Sequence, residues 1–202
     1  AAIGAKMPIK DAMKLANNAS GIVVGKLGTA TVSANELKES VSMNKSDDDW
    51  QQKRKIITVS QAKQIANNLR ASGKTIGFTN GCFDCCHLGH LYSFIQAKQN
   101  CDTLFIGMNS DASVKRNKGP ERPIQDEKTR ALLLASLEMV DYVIVFDDDT
   151  ALPLIDEIRP DVIAKEGYKI ENWPEAKRVI EYGGRAIELK HLDGYSTSKL
   201  FQ

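Results

Sequence analysis

A chain of 202 residues is long enough for one or two domains with a substantial buried core. Its net charge of +1, with 26% charged residues, offers neither the basic footprint of a nucleic-acid binder nor an acidic tail, so no nucleic-acid partner is expected. The longest apolar runs, such as Tyr142–Phe146, fall far short of the ~20 residues that span a bilayer, and no charged leader with an apolar core opens the sequence; no membrane partner and a cytoplasmic location are expected.

The first predicted element is a helix over residues 10–19, where Ala12, Met13, Leu15, Ala16 and Ala19 recur at helical spacing behind Pro8. Two glycine-punctuated, partly β-branched runs follow at 21–25 and 28–32, then a short helix near 34–41. Lys26 between Gly25 and Gly28 lacks the spacing of a phosphate-binding loop. Residues 42–56 read as a linker, with Asp47, Asp48 and Asp49 close to Lys53, Arg54 and Lys55 in a charge run expected to stay solvated.

Beyond the linker, strands and helices alternate. A helix over 60–71 precedes a strand at 75–79 and a helix at 87–99. A strand at 103–108 leads to a short helical piece near 112–116, a helix over 126–137, a strand at 142–146 and a helix at 151–158. The last elements are a strand at 161–164, a helix at 174–182, a strand at 186–189 and a closing helix from Ser196. Five short apolar strands separated by helices predict an α/β fold with a doubly wound, Rossmann-like, parallel five-stranded sheet covered on both faces. Ligands then bind at the carboxyl ends of the strands. Asp147, Asp148 and Asp149 stand where they would cap the helix at 151 and offset its dipole, a Mg²⁺ site being the alternative.

The segment from Thr79 to His90 follows the first strand of this alternation and holds two of the three histidines. At the start of a helix, His87 and His90 stand three positions apart and share a face, so both imidazoles can meet one ligand. Unpaired N–H groups and the helix dipole favour an anion there. Gly81 suits the strand-to-helix turn, and Gly89 lets a ligand approach the backbone between the rings. Four cysteines, Cys82, Cys85, Cys86 and Cys101, complete the local chemistry. Cys86 interrupts the spacing of a haem-attachment motif, and no second ligand pair exists for zinc, so reduced thiols and no metal-ligating residues are expected.

Gly81-Cys82-Phe83-Asp84, followed by His87-Leu88-Gly89-His90, resembles the Gly-x-Phe-Asp-x-x-His-x-Gly-His signature of the cytidylyltransferase-like nucleotidyltransferases. The opening Thr79-Asn80-Gly81-Cys82 is most similar to the adenylyltransferase half of the bifunctional heptose-phosphate kinase/adenylyltransferases of lipopolysaccharide core synthesis. Residues 109–114, 118–124 and 194–199 fit the same family, so the resemblance runs from about residue 57 to the C-terminus. Residues 1–41 resemble the tail of a ribokinase-like sugar kinase, the partner domain in that family. The Gly-Ala-Gly-Asp segment such a kinase needs does not occur, so the chain is expected to be a fragment with a small kinase-tail remnant and no kinase activity.

The resemblance implies transfer of AMP from ATP, with Mg²⁺, to D-glycero-β-D-manno-heptose 1-phosphate, giving ADP-heptose and pyrophosphate. The nucleophile is already an anionic phosphate oxygen, so alignment and charge neutralisation matter more than a strong base. It implies that His87 and His90 donate to the α-phosphate and the bridging oxygen, with Lys118 as a third catalytic group. Nucleotide binding falls to Thr79, Asn80, Gly81, Cys82, Phe83 and Gly89 on the motif, and to Asn109 and Asp111 after the second strand. Lys165 and the helix-opening Ser196, Thr197 and Ser198 complete that set, and Lys115 and Arg122 are expected on substrate phosphate. The family's Lys-Gly-Gly-Asp-Tyr is here Lys165-Glu166-Gly167-Tyr168, and His191 stands near the place of an arginine in glycerol-phosphate cytidylyltransferases. The alternatives are a glycerol- or ethanolamine-phosphate cytidylyltransferase, an FAD synthetase-type enzyme, or a nucleotide-binding module without activity. The expected partners are small-molecule substrates and a second copy in a homodimer.

Overall fold

The computed structural model describes residues 54–192 together with Thr31 and Ser33. The chain divides into two units, Ala1–Trp50 and Gln51–Gln202, and everything below concerns the second. The elements expected within residues 1–41, and the closing helix from Ser196, lie outside the described residues.

Six parallel strands build the sheet: β1 (Ile56–Ile57), β2 (Ile76–Gly81), β3 (Thr103–Asn109), β4 (Tyr142–Phe146), β5 (Val162–Glu166) and β6 (Arg185–Leu189), in the order β1-β4-β3-β2-β5-β6. The expected five strands are all present, and β1 is an addition at the edge. Ile56 and Ile57 pair with Val143 and Ile144. Two residues carry no readable periodicity, so only the neighbouring strand reveals β1. Lys55, expected in the solvated charge run, instead donates to the carbonyls of Leu137 (3.0 Å) and Val140 (2.7 Å).

Helices α1 (Val59–Ala71), α2 (Leu88–Lys98), α3 (Asp111–Lys118), α4 (Glu127–Ala135), α5 (Leu152–Ile158) and α6 (Pro174–Glu181) fill the crossovers. Their starts follow local chemistry. Thr58 and Gln61 form a capping box on α1, Ser110 caps α3 and Asp126 caps α4 through side-chain oxygens. Asp147, Asp148 and Asp149 do not cap α5, whose N-cap is Ala151 with no side-chain hydrogen bond. They are instead drawn back toward α3, where Arg116 Nε donates to Asp149 at 2.9 Å and Ser110 donates to Asp147.

Side-chain alternation along the strands feeds two cores. Phe78, Phe105 and Ile144 pack with Ala62, Ala66 and Ile155 of α1 and α5 on one face. Leu104, Ile106, Met108 and Val143 pack with Phe94, Ala97 and Leu134 of α2 and α4 on the other. All seven residues of β3 are buried, as a central parallel strand requires. A Cβ on Gly77 would stand 2.5 Å from Cys101 Sγ, which explains the small residue in β2 and gives Cys101 a packing role.

The chain runs outward from β2 through β3 to β4, then returns to lay β5 on the other side of β2. The reversal opens a crevice at the carboxyl ends of β2 and β5, the place where open α/β sheets bind ligands. Strand β2 runs two residues further than its apolar run suggests, because Asn80 and Gly81 stay in register with Gly107 and Met108. β5 likewise includes Lys165 and Glu166, paired with Glu188 and Leu189.

Candidate active site

At the end of β2 the backbone turns sharply. Phe83 adopts φ 48°, a left-handed conformation that a bulky residue rarely takes. Its ring folds back under Gly81, where an added Cβ would meet the phenyl carbons at 3.0–3.4 Å. The buried ring then meets His90 edge-on at 5.3 Å and Phe94 at 5.3 Å. Phe83, expected on the nucleotide, lines the crevice chiefly as the floor that positions His90.

His87 is the N-cap of α2, and His90 stands in its first turn. The rings stack with centroids 4.0 Å apart and planes 27° from parallel. The His87 backbone N–H donates to His90 Nδ1 at 3.4 Å. That bond assigns the neutral His90 ring its proton on Nε2, leaving an N–H donor for a ligand. Burial pushes the His90 pKa down to about 4, and the neighbouring His87 adds to the fall. His87 is also lowered by burial. Both rings are therefore neutral donors at pH 7, poor general acids and suited to stabilising a developing anion.

A second loop closes on the motif from the far side of β3. Asp84 Oδ1 accepts from the backbone N–H groups of Ile124 (2.6 Å) and Gln125 (3.1 Å), and Oδ2 lies 2.8 Å from Arg122 Nη1. Beneath it, Arg130 reaches in from α4 and is only 1% exposed. Its guanidinium donates to Cys82 O (2.6 Å), Asn109 O (2.9 Å), Gln125 O (3.1 Å) and the Asp111 carboxylate (2.6 Å). Arg130 thus ties the ends of β2 and β3 to the loop above them. No motif marks it, since a buried arginine on a helix looks like any surface arginine in sequence.

Across the crevice, Lys165 Nζ on β5 lies 3.4 Å from Asn80 Oδ1 on β2 and 4.2 Å from the Tyr168 ring centroid. Burial lowers its pKa, opposed by the charge of Glu175. Glu166 accepts from Ser93 Oγ at 2.8 Å and contacts His191 Nδ1, so the acidic residue that departs from the family pattern is held at the crevice edge.

Two cavities meet along this wall. The larger, ≈ 630 Å³, is lined by Asn109, Lys118 and Arg122 among others; the smaller, ≈ 300 Å³, by Thr79, His87, Gly89 and His191 among others. Asn80, Gly81, Cys82, Phe83, His90 and Lys165 line both. The structure therefore brings together most of the expected residues but not all. Asp111 lines neither cavity; its carboxylate is committed to Arg130. Lys115 is exposed and lines neither, although Lys118, one turn on along α3, lines the larger. Arg122 lines the larger cavity already paired with Asp84. Ser196, Thr197 and Ser198 lie outside the described residues. Asn117, Thr150, Tyr168 and Glu175 were not expected and reach the larger cavity from four separate segments.

Burial raises the thiol pKa of Cys82, and lifts Cys86 and Cys101 to about 11. All four cysteines are unbridged. Among the described residues, no three His, Cys, Asp or Glu side chains gather as a metal site. No helix among them is long and apolar enough to cross a membrane.

Residues 78–202 match the cytidylyltransferase-like family. The chain belongs to that family. It is 42% identical over 197 residues to the bifunctional protein HldE of Syntrophotalea carbinolica, covering 97% of this chain and 39% of that protein. It is 44% identical over 200 residues to the bifunctional protein HldE of Caulobacter vibrioides, covering 98% and 41%. The chain thus spans about two fifths of the length of these relatives. Among solved structures, it is similar to a lipopolysaccharide core biosynthesis protein from Thermoplasma volcanium, with 25% identity and TM-score 0.52 over 60% of this chain and all of that one. A pantoate-β-alanine ligase from Francisella tularensis shares the fold, at 16% identity and TM-score 0.54 over 73% of this chain and 72% of that one.

Proposed function

We propose that this chain is a nucleotidyltransferase that moves AMP from ATP to D-glycero-β-D-manno-heptose 1-phosphate, for lipopolysaccharide core synthesis in the cytoplasm. Membership of the cytidylyltransferase-like family supports the transfer, and the identity to bifunctional HldE proteins supports the sugar phosphate and ATP. The observation that carries the reading is the stacked pair of neutral imidazoles at the start of α2, with the His90 Nδ1 already used by the His87 N–H.

In this reaction a phosphate oxygen of the sugar 1-phosphate attacks the α-phosphorus of ATP. The bond from that phosphorus to the bridging oxygen breaks, and pyrophosphate leaves with the electron pair. His90 Nε2–H, with His87, donates to oxygens whose charge grows in the transition state, a contribution of several kcal/mol at such positions, on the order of 3. Lys118, Arg122 and Lys165 supply positive charge to the two anions as they are brought together. Mg²⁺ would be held largely by the phosphates of ATP, since magnesium takes few protein ligands in such sites, and it would neutralise their charge. Ser196, Thr197 and Ser198 are read as further nucleotide contacts.

Residues 1–41 are read as the tail of a sugar kinase, supported by matches to bifunctional proteins that span 97–98% of this chain. A homodimer belongs to the same reading, and a monomer by light scattering at micromolar concentration would count against it. The decisive assay is pyrophosphate release with ATP or CTP against heptose 1-phosphate, glycerol 3-phosphate, phosphoethanolamine and FMN. Release with ATP and heptose 1-phosphate is expected. Preference for CTP, or for FMN, would replace the reading with a cytidylyltransferase or an FAD synthetase-type enzyme. Nucleotide binding without release from any pair would leave only a binding module.

A further inference from the structure

The larger cavity holds three cations, Lys118, Arg122 and Lys165, which suit phosphate, but also three carboxylates, Asp84, Asp149 and Glu175. Two of the carboxylates are spoken for. Asp84 is held by the N–H groups of Ile124 and Gln125 and by Arg122, and Asp149 by Arg116. Glu175 has no hydrogen bond and no ion pair among the described residues; its charge reaches Lys165 without contact. It is half-buried in the first turn of α6, directly after Pro174 and the fully buried Trp173, so a packed helix start fixes its place.

An uncommitted carboxylate is a poor neighbour for two phosphate-bearing substrates unless donors reach it. Ionised carboxylates only accept, through about four lone-pair sites on two oxygens. Sugar hydroxyls are such donors, and nothing in the phosphate chemistry needs one. Tyr168 lines the same cavity from the loop after β5, its ring held between Lys165 Nζ, 4.2 Å from the centroid, and Trp173, 5.9 Å away, yet it keeps 45% of its surface exposed. Neither Glu175 nor Tyr168 lines the smaller cavity with His87.

We propose that Glu175 and Tyr168 form the subsite for the polyhydroxylated part of the acceptor, Glu175 accepting hydrogen bonds from sugar hydroxyls and Tyr168 packing against the apolar face of the ring. This rests on the adenylyltransferase reading and adds to it the residues that tell a sugar phosphate from a smaller phosphate ester. A site built to bond a hydroxyl rejects analogues that lack it, because its own polar group is left unpaired.

The test measures pyrophosphate release by the whole 202-residue chain, with ATP, Mg²⁺ and heptose 1-phosphate varied separately, for wild type, E175Q, E175A and Y168A. For E175A and Y168A the KM for the sugar phosphate is expected to rise about 10- to 100-fold, while kcat and the KM for ATP move less than about 3-fold. E175Q keeps the shape and one acceptor, folds if E175A does not, and is expected to fall between. An unchanged sugar-phosphate KM, or a rise confined to ATP or Mg²⁺, overturns the subsite while leaving the adenylyltransferase reading standing. Wild type that turns over no sugar phosphate overturns that reading. Calorimetric titration of the same sugar phosphate then decides the subsite by itself: weaker binding to E175A supports it, and equal binding or none overturns it.

Discussion

Asp84 and Arg122 meet at 2.8 Å on the wall of the larger cavity, and the same carboxylate holds the backbone of Ile124 and Gln125, about forty residues away in the chain. The motif aspartate therefore acts on the loop that follows α3 and carries Arg122, bringing a second strand's loop to the histidine turn. Deleting either side chain separately should also remove part of what the other does. A double-mutant cycle with D84A and R122A, read as kcat/KM for pyrophosphate release, is expected to give a coupling energy of about 0.5–3 kcal/mol. Strict additivity would mean that the two residues serve unrelated steps.

His90→Ala is expected to lower kcat about 10²–10³-fold, the scale seen when one preorganised donor to a developing anion is removed. Nucleotide affinity, measured by direct titration, should change far less. Equal losses in turnover and affinity would assign the ring to ground-state binding.

The neutral state of His90 has a signature in stability. Its folded pKa, about 4, lies below the ordinary histidine value, so the unfolded chain takes up the proton first. The contribution is fully present above the unfolded value of about 6.5 and is lost as pH falls from there toward about 4. The melting temperature is expected to fall over that window, and less steeply in His90→Gln. An NMR titration of the His90 ring should place its midpoint near 4, and a midpoint near 6.5 would contradict a buried neutral donor.

Lys115 and Lys118 differ by one turn of α3, yet only Lys118 reaches a cavity. K118A is expected to reduce kcat/KM by about 10-fold or more, and K115A by less than about 2-fold. Similar losses in both would restore Lys115 to the site.

Arg130 satisfies three carbonyls and one carboxylate from a fully buried position. R130A leaves those acceptors without their donor and is expected to destabilise the domain by about 3–5 kcal/mol in urea unfolding. R130K cannot span the ends of β2 and β3 with a single ammonium, so it should recover only part of the loss. Unfolding midpoints within error of wild type would show that the network is dispensable.

By itself the sequence determined the α/β class, all five long strands and the histidine turn. Those signals are local: apolar runs of strand length, helix caps, and a motif whose residues neighbour one another in the chain. What it could not determine was convergence. The edge strand Ile56–Ile57 exists only because β4 offers it a ladder, and Asp147–Asp149 face Ser110 and Arg116 rather than cap α5. Asp111 and Lys118 share a helix, yet the fold turns one to Arg130 and the other to the crevice. Glu175 reaches that crevice from a helix with no motif, and Tyr168 from the end of a motif that pointed only to Lys165. The tertiary structure decided which charges are spent on one another and which remain for a ligand, because a charged side chain's partner is set by position in space, and separation along the chain carries almost no record of it.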